Sequence, residues 1–428
     1  MCGYKYIQMR SENYSMKKIF KIVVGIVLTV CVYIQTGCSQ TNIFTNSSEQ
    51  NITTYVDTNT GKEFVVIGDK VAVNLPVSVK TFITEDGNRK ELPEGIMEYN
   101  ENALLVYSTD TSYSLTKNEW GQIEKSYTYT ADNQISSCKY QDEELPKDIY
   151  YTYSEDTNDL MEYIYVSNDD ITATYTLEGN TGFMAQKYTE LIYDEYHYEF
   201  RDDGLVSQIK KENSENYEQW DFVYDSMDNL IGVIDGNFNE GQYSEKYKYK
   251  FAYDEKKLIS AIRYRLKNGN FEKEYEKTIE YNENGKISHV EISYYYSENG
   301  TTDSSTYEYD DNRLIKLKDS DGFVVNIEWE KNEVSKIYTS SAEMQISYRT
   351  FYIDMSEIDN YLSNCYYQYR DEAFQNTLIV CGRQMTPLID GYVTKMETYS
   401  VMGFSLEGIV YDIYKHVRQD NFWRRLDY

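Results

Sequence analysis

Proline, histidine and cysteine are scarce in this sequence. Of its 428 residues, only 4 are proline, 3 are histidine and 6 are cysteine. No CxxC pair and no Cys/His cluster occurs, so the sequence contains no zinc-binding pattern. His197, His289 and His416 are scattered along the chain, and none is placed for Cys–His catalysis. We interpret each histidine as a packing or surface residue.

Motifs of familiar catalytic chemistry are missing as well. The segment Gly403–Gly408 comes close to the GxSxG nucleophile pattern, but Glu407 stands where the second glycine is required. There is no HExxH, and Lys62 is followed by Glu63, which excludes a P-loop. With 71 acidic residues, some carboxylate pair always has a catalytic separation, so such pairs carry no information. The sequence predicts a non-enzymatic protein; an envelope enzyme acting on polysaccharide is the alternative.

Positive charge is in deficit. The formal net charge is −29, and such a field repels phosphate backbones, so we expect no nucleic-acid partner. The acidic residues read best as a solvated face that also discourages association of sheet edges. Calcium is a weak possibility because it takes oxygen ligands, but neither an EF-hand loop nor a glycine-rich calcium repeat is present. We therefore predict no cofactor.

The chain is rich in tyrosine, with 47 residues, and some of these tyrosines mark a repeated turn. An aromatic residue and Asp or Asn enter a short polar turn, and an aliphatic residue leaves it. The aliphatic positions recur every 20 to 29 residues from Leu205 to Val334. The turn and anchor residues of the best copies are Tyr224, Asp225 and Leu230; Tyr253, Asp254 and Leu258; Tyr281, Gly285 and Ile287; and Tyr309, Asp310 and Leu314.

The repeat has the physical character of a β-hairpin. Residues Tyr247 to Tyr253 alternate between two kinds of side chain, which is the pattern of a strand with two different faces. Asp or Asn at the turn bonds the backbone two residues on, and Gly or Asn supplies the positive φ of a chain reversal. Because one hairpin alone is marginally stable, neighbouring hairpins must cover one another. We predict an all-β fold, an extended twisted meander of antiparallel hairpins over residues 62–350.

These turns resemble the YD-type repeats of the RHS family, over roughly residues 97–350. The likeness is clearest at Tyr224-Asp225, Tyr253-Asp254 and Tyr309-Asp310, although the glycine is often replaced and the arginine usual before the tyrosine is missing. Large RHS proteins wrap such repeats into a shell around a toxin. This chain has few repeats and no recognisable toxin domain. The resemblance implies a smaller bacterial surface lipoprotein or, as an alternative, an RHS-like element of a toxin or immunity system.

The N-terminal segment resembles a bacterial lipoprotein signal. Met16 and the lysines after it precede an apolar stretch, Ile22–Ile34, that is too short to span a bilayer comfortably. Gln35-Thr36-Gly37 then leads to Cys38, the expected lipidation site. We interpret residues 1–37 as an over-called start plus signal peptide, and 38–61 as the lipidated cysteine and a flexible tether. This predicts an extracytoplasmic protein anchored to the membrane by lipid.

The repeat pattern ends near residue 350. Residues 351–428 are predicted to form a small α+β cap, with a helix over Ser356–Tyr369 and strands at Thr377–Val380, Gly391–Met396 and Ile409–Tyr414. A helix over Glu407–Arg418 is the alternative for the last of these. Cys365 and Cys381 are a possible disulfide, which leaves Cys138 over.

Two interpretations of the tyrosines remain open at this stage. Their rings suit a half-buried pleated surface on which the hydroxyl stays wet. They also suit a row of exposed rings that stack on sugars, and one sheet has room for both on its two faces. The sequence therefore predicts binding or scaffolding at the cell surface through a tyrosine-rich sheet, with a glycan or a surface protein as ligand.

Overall fold

The computed structural model describes most of the chain between residues 52 and 381. The described residues are 52–57, 61–114, 117–141, 147–153, 160–167, 170–178, 181–189, 192–202, 205–213, 216–239, 242–255, 257–295, 300–374 and 376–381. The predicted lipidation site Cys38, the signal segment and the strands predicted after Cys381 lie outside them.

The described part of the chain is a run of 25 β-strands followed by short helices. The first strands are β1 (Ile52–Val56), β2 (Glu63–Ile67), β3 (Lys70–Glu85), β4 (Asn88–Glu91), β5 (Gly95–Tyr99), β6 (Leu105–Ser114), β7 (Glu119–Tyr129), β8 (Ile135–Gln141), β9 (Lys147–Tyr153), β10 (Leu160–Ser167), β11 (Asp170–Glu178) and β12 (Thr181–Thr189). The next are β13 (Ile192–Phe200), β14 (Val206–Asn213), β15 (Asn216–Tyr224), β16 (Leu230–Asn239), β17 (Gln242–Asp254), β18 (Lys257–Lys267), β19 (Asn270–Tyr281), β20 (Ile287–Tyr294), β21 (Thr301–Asp310), β22 (Arg313–Asp319), β23 (Val324–Glu330), β24 (Glu333–Tyr338) and β25 (Ala342–Asp354). The helical elements are α1 (Ile358–Tyr361), a π-helical turn (Leu362–Tyr366), α2 (Tyr367–Phe374) and α3 (Thr377–Cys381).

The strands form one antiparallel meander, as the repeat predicts. From β5 to β25 each strand pairs with the next one in sequence. The two ends of this meander meet on β3. There, β25 pairs along the strand from Ala342↔Ile83 to Asp354↔Lys70, while β5 pairs at Ser78↔Ile96. The all-β prediction is confirmed. The tether prediction is wrong for Ile52–Val56, since β1 pairs with β2.

Each repeat strand buries one face and exposes the other. On β17, Tyr249 and Phe251 are buried while the lysines that alternate with them are more exposed. The buried positions of successive strands join one hydrophobic cluster. We call this the inner face of the sheet, and the opposite one the outer face.

The helical segment after β25 packs against the inner face. Tyr366, Tyr369, Arg370 and Phe374 are among the largest fully buried side chains of the described residues. Arg370 donates to Glu333 of β24 at 2.6 Å. Buried charges are tolerated when paired and hydrogen-bonded in this way, so these contacts fix the helices on the sheet.

Two predictions for this segment need correction. Thr377–Val380 is helical and belongs to α3, not to a strand. No disulfide joins Cys365 and Cys381; both are buried thiols, and the Cys381 thiol donates to the Thr377 carbonyl at 2.8 Å. The helix predicted over Ser356–Tyr369 is present as α1, the π-helical turn and the start of α2.

Candidate functional site

Three aromatic side chains lie side by side on the outer face of β15, β16 and β17. Tyr217 pairs directly with Phe238, and Phe238 pairs directly with Tyr243. Directly paired residues of antiparallel strands project from the same face, so the three rings form a row across the sheet. The rings of Tyr217 and Phe238 stack with centroids 4.7 Å apart and an interplanar angle of 8°. Tyr243 ends the row and is 42% exposed.

Tyr243 packs directly over Gly236. A Cβ built at Gly236 would lie 2.6 Å from the ring carbon Cζ of Tyr243 and 2.7 Å from Cε2. A side chain at this position would displace the Tyr243 ring, so the glycine lets the ring rest on the sheet. The bulge between Asp235 and Gly236 lies beside this contact. The exposed ring is thus supported from below by backbone.

A chain of planar polar groups borders the aromatic row. The Asp221 carboxylate accepts the side-chain amide of Gln208 at 2.6 Å and that of Gln219 at 2.9 Å. Gln208 lies on β14. Gln219 and Asp221 lie on β15, two and four residues after Tyr217. The Gln219 amide also approaches the other Asp221 oxygen at 2.9 Å. We define Gln208, Tyr217, Gln219, Asp221, Phe238 and Tyr243 as the outer platform.

The surroundings of Tyr243 keep its hydroxyl group neutral. Partial burial, followed by the nearby carboxylates of Asp221 and Glu245, raises the pKa of Tyr243 to about 12. At neutral pH its hydroxyl is therefore a donor and acceptor of hydrogen bonds. Flat rings beside amide and carboxylate groups can stack on an apolar ligand face and bond the hydroxyl groups at its rim.

The inner face of the same strands carries a buried carboxyl. Asp235, opposite Trp220, is 1% exposed. Burial raises the pKa of Asp235 to about 6, against the opposing effect of Lys246. The neighbouring Trp220 side chain lowers the pKa of Asp235. However, neither Trp220 Nε1 nor Asp235 Oδ2 has a well-formed hydrogen bond among the described residues. Trp220 and Asp235 therefore make fewer hydrogen bonds than buried polar side chains normally do.

The turn and anchor residues singled out from the sequence are distributed, one set per hairpin. In each set the aromatic residue and the aliphatic anchor are register partners, as in Tyr253↔Leu258 and Tyr309↔Leu314. Tyr281↔Ile287 and Tyr224↔Leu230 pair likewise. The structure does not bring the sets together, so they support the fold and form no common site.

Sequence reasoning missed the outer platform. Tyr217, Phe238 and Tyr243 were never singled out, because the alternation of a strand does not show which residues of three strands become neighbours. The one available signal was Gly236 within a strand, since a strand glycine often marks a bulge or a close approach.

The described residues include potential metal ligands. Their one group of three potential ligands within reach of a single ion is Glu195, His197 and Glu212, on β13 and β14. Among those same residues, none of the helices has the length and apolar character that a membrane crossing requires.

The chain has no match among protein-family models, and no curated protein matches it. Some solved structures are similar. A porin-like protein from Bacteroides uniformis is 8% identical with a TM-score of 0.26, over 64% of this chain and 98% of that one. TcdB2-TccC3 without its hypervariable C-terminal region is 11% identical with a TM-score of 0.23, over 68% of this chain and 21% of that one.

A DUF3836 family protein from Parabacteroides distasonis is 20% identical over 27% of this chain and 95% of that one, with a TM-score of 0.15. These identities and TM-scores are low, so none of the similarities carries a functional argument. The chain spans about a fifth of TcdB2-TccC3. The candidate site therefore rests on the geometry of its own residues.

Proposed function

We propose that this protein is a lipid-anchored, extracytoplasmic binding protein whose outer platform takes a glycan without chemical turnover. The observation that carries the proposal is Tyr243, a ring 42% exposed and supported by the backbone of Gly236. A ring held in this way offers its free surface to a ligand at little entropic cost, because it is already ordered.

The ligand class follows from the chemistry of the outer platform. A pyranose has an apolar C–H face that stacks on an aromatic ring, and its hydroxyl groups both donate and accept hydrogen bonds. Gln208 and Gln219 provide amides and Asp221 provides a carboxylate beside the rings. The acidic character of the whole chain, with net charge −29, favours a neutral or cationic glycan over a phosphorylated one.

The membrane anchor and location in this proposal rest on the sequence around Cys38. A diacylated cysteine would hold the sheet outside the membrane, where surface glycans are accessible. Globomycin treatment of producing cells, or mass spectrometry of the mature N-terminus, tests this part separately. A mature chain that retains residues before Cys38, without lipid, would contradict it.

The binding proposal is tested with the chain from Ser39 to Tyr428 on an array of glycans and cell-wall fragments. The best ligand is then titrated by calorimetry against Tyr243→Ala and against Tyr352→Ala, a matched control whose tyrosine is 58% exposed on β25. We expect Tyr243→Ala to weaken binding about tenfold or more, equivalent to about 1.4 kcal/mol. Tyr352→Ala should bind as the wild type does.

Two results would overturn this assignment. Saturable glycan binding that Tyr243→Ala leaves intact would place the ligand elsewhere. An absence of binding to every glycan would instead favour a protein ligand, and crosslinking on intact cells would identify it.

A catalytic role in polysaccharide cleavage is the second candidate. It is favoured by Asp235, whose pKa of about 6 suits a general acid. Its weakness is burial, since Asp235 is 1% exposed. Release of reducing ends from bound glycans by the wild type, abolished in Asp235→Asn, would support catalysis; no release would leave the binding function alone.

A further inference from the structure

We propose that Glu195, His197 and Glu212 form a binding site for a divalent transition metal, Zn²⁺, on the outer face of β13 and β14. Glu195 and His197 are two residues apart on β13 and so project from the same face. Glu212 on β14 is the direct register partner of Glu195. Their ligand atoms all lie within 4.8 Å of one another.

The distances leave space for an ion and not for direct hydrogen bonds. His197 Nε2 lies 4.0 Å from Glu212 Oε2, beyond hydrogen-bond reach. A metal bonded to both atoms, at about 2.0–2.2 Å each, fits between them after a small adjustment. In a tetrahedral site the two atoms would lie about 3.4 Å apart, so binding of an ion draws the Glu212 carboxylate toward His197 by roughly half an ångström.

The environment of the His197 imidazole nitrogen also favours a ligand. His197 Nε2 is buried and has no hydrogen-bond partner among the described residues, although 44% of the side chain is exposed. A buried nitrogen without a hydrogen-bond partner costs free energy, because it has lost its hydrogen bond to water. A metal bond to its lone pair would satisfy it.

The carboxylates provide the driving force. Two glutamates paired directly across strands repel each other, and an ion between them would turn that repulsion into attraction. Lys210, the register partner of His197, forms its ion pair with Glu199 at 3.8 Å, outside the group. The excess negative charge of the chain adds to the attraction for a cation.

The histidine is held in place from a third strand. Phe183 on β12 is the register partner of His197, and their ring centroids are 5.1 Å apart. This contact restricts the imidazole and lowers the entropy lost on metal binding. One imidazole and two carboxylates suit Zn²⁺ better than Ca²⁺, which prefers an all-oxygen shell.

The site borders the outer platform. Glu212 is the register partner of Tyr217, so the two groups are adjacent on one face of the sheet. With three protein ligands, Zn²⁺ retains an open position for water or a hydroxyl group of a ligand. The metal proposal is nevertheless independent of the glycan proposal, because the ion alone is the probe in its test.

The test is calorimetric titration of untagged, chelator-treated full-length protein with Zn²⁺, followed by the visible absorption of Co²⁺ in the same site. His197→Gln and Glu212→Gln are compared with His289→Gln, a matched control on β20. Changes outside the ligand set of a metal site cost about 10–100-fold in affinity, so we expect each ligand variant to lose about 100-fold or more. His289→Gln should bind as the wild type does.

Circular dichroism of each metal-free variant shows whether it is folded, and Glu195→Gln replaces any variant that is not. The proposal is overturned if the wild type does not bind Zn²⁺. It is equally overturned if both ligand variants retain wild-type affinity, because the cysteines or His416 would then hold the ion.

Discussion

Tyrosines at the repeat turns account for part of the high tyrosine content of the chain. In five repeats the aromatic residue donates to a backbone carbonyl of the neighbouring hairpin: Tyr99 to Pro76, Tyr129 to Leu105, Tyr224 to Val206, Tyr281 to Leu258 and Trp329 to Leu314, at 2.7–2.9 Å. The ring fills the core while the hydroxyl or indole N–H satisfies a carbonyl. Tyrosine is therefore selected here for a hydrogen bond between repeats, and the expectation that its hydroxyl stays wet is wrong at these positions.

Removal of one such hydroxyl should destabilise the sheet. We expect Tyr281→Phe to lower the free energy of unfolding by about 1 kcal/mol, because the Leu258 carbonyl loses its 2.9 Å donor. Denaturant unfolding followed by circular dichroism measures this. Tyr352→Phe, at a side chain 58% exposed, is the control and should change little. Equal stability of the two variants would contradict this role of the repeat tyrosine.

Asp235 makes stability depend on pH. Its pKa is about 6 in the folded protein and about 3.8 when unfolded, since burial disfavours the carboxylate. The folded state is therefore penalised as pH rises from about 4 through 6, and the penalty is complete above that range. Two pKa units correspond to about 3 kcal/mol.

We expect Asp235→Asn to stabilise the protein by about 1–3 kcal/mol at pH 7.5 and by almost nothing at pH 4. Urea unfolding at the two pH values measures the difference. Asp303→Asn, on an exposed position of β21, is the control. A variant that is equally stabilised at both pH values, or destabilised at pH 7.5, would show that the Asp235 carboxylate is satisfied in the fold.

Among the elements, the hairpins were predictable and the helices less so. Asp225 and Asn282 accept the backbone N–H two residues on, at 2.8 and 3.0 Å, as the turn chemistry predicts. Positive φ falls not only on Gly285 but also on Asp228, Glu255 and Asp311. The glycine signal is weak in these repeats because the turn tolerates other residues.

In the helical segment, local sequence signals do not predict the start of α1 or the helical conformation of α3. The sequence predicts a helix from Ser356, but α1 begins after Glu357 and has no side-chain cap. Thr377-Leu-Ile-Val reads as a strand from its apolar, β-branched composition, and a short apolar run cannot be distinguished from a buried helix. Thr377 is fully buried and Val380 nearly so, which is compatible with a buried helix as well as with a buried strand.

At the scale of the molecule, the pairing of β25 with β3 joins residues more than 250 positions apart. No repeat pattern predicts that contact, because it depends on the accumulated twist of every strand between. The registers of four successive strand pairs place Glu195, Glu212, Tyr217, Phe238 and Tyr243 in one row across five strands. The sequence supplies the hairpins, and the register of the whole sheet creates the outer platform.

The proposed function is that the Tyr243 ring, packed on the backbone of Gly236, binds a glycan. Its most direct test is the calorimetric affinity of the best array ligand for Gly236→Ala, beside Gly121→Ala, where a Cβ has nothing within 4 Å. Gly236→Ala keeps every polar group of the outer platform but displaces Tyr243. We predict that it weakens binding about tenfold, or about 1.4 kcal/mol, while Gly121→Ala binds as the wild type does. Unchanged affinity in a folded Gly236→Ala variant would contradict the account.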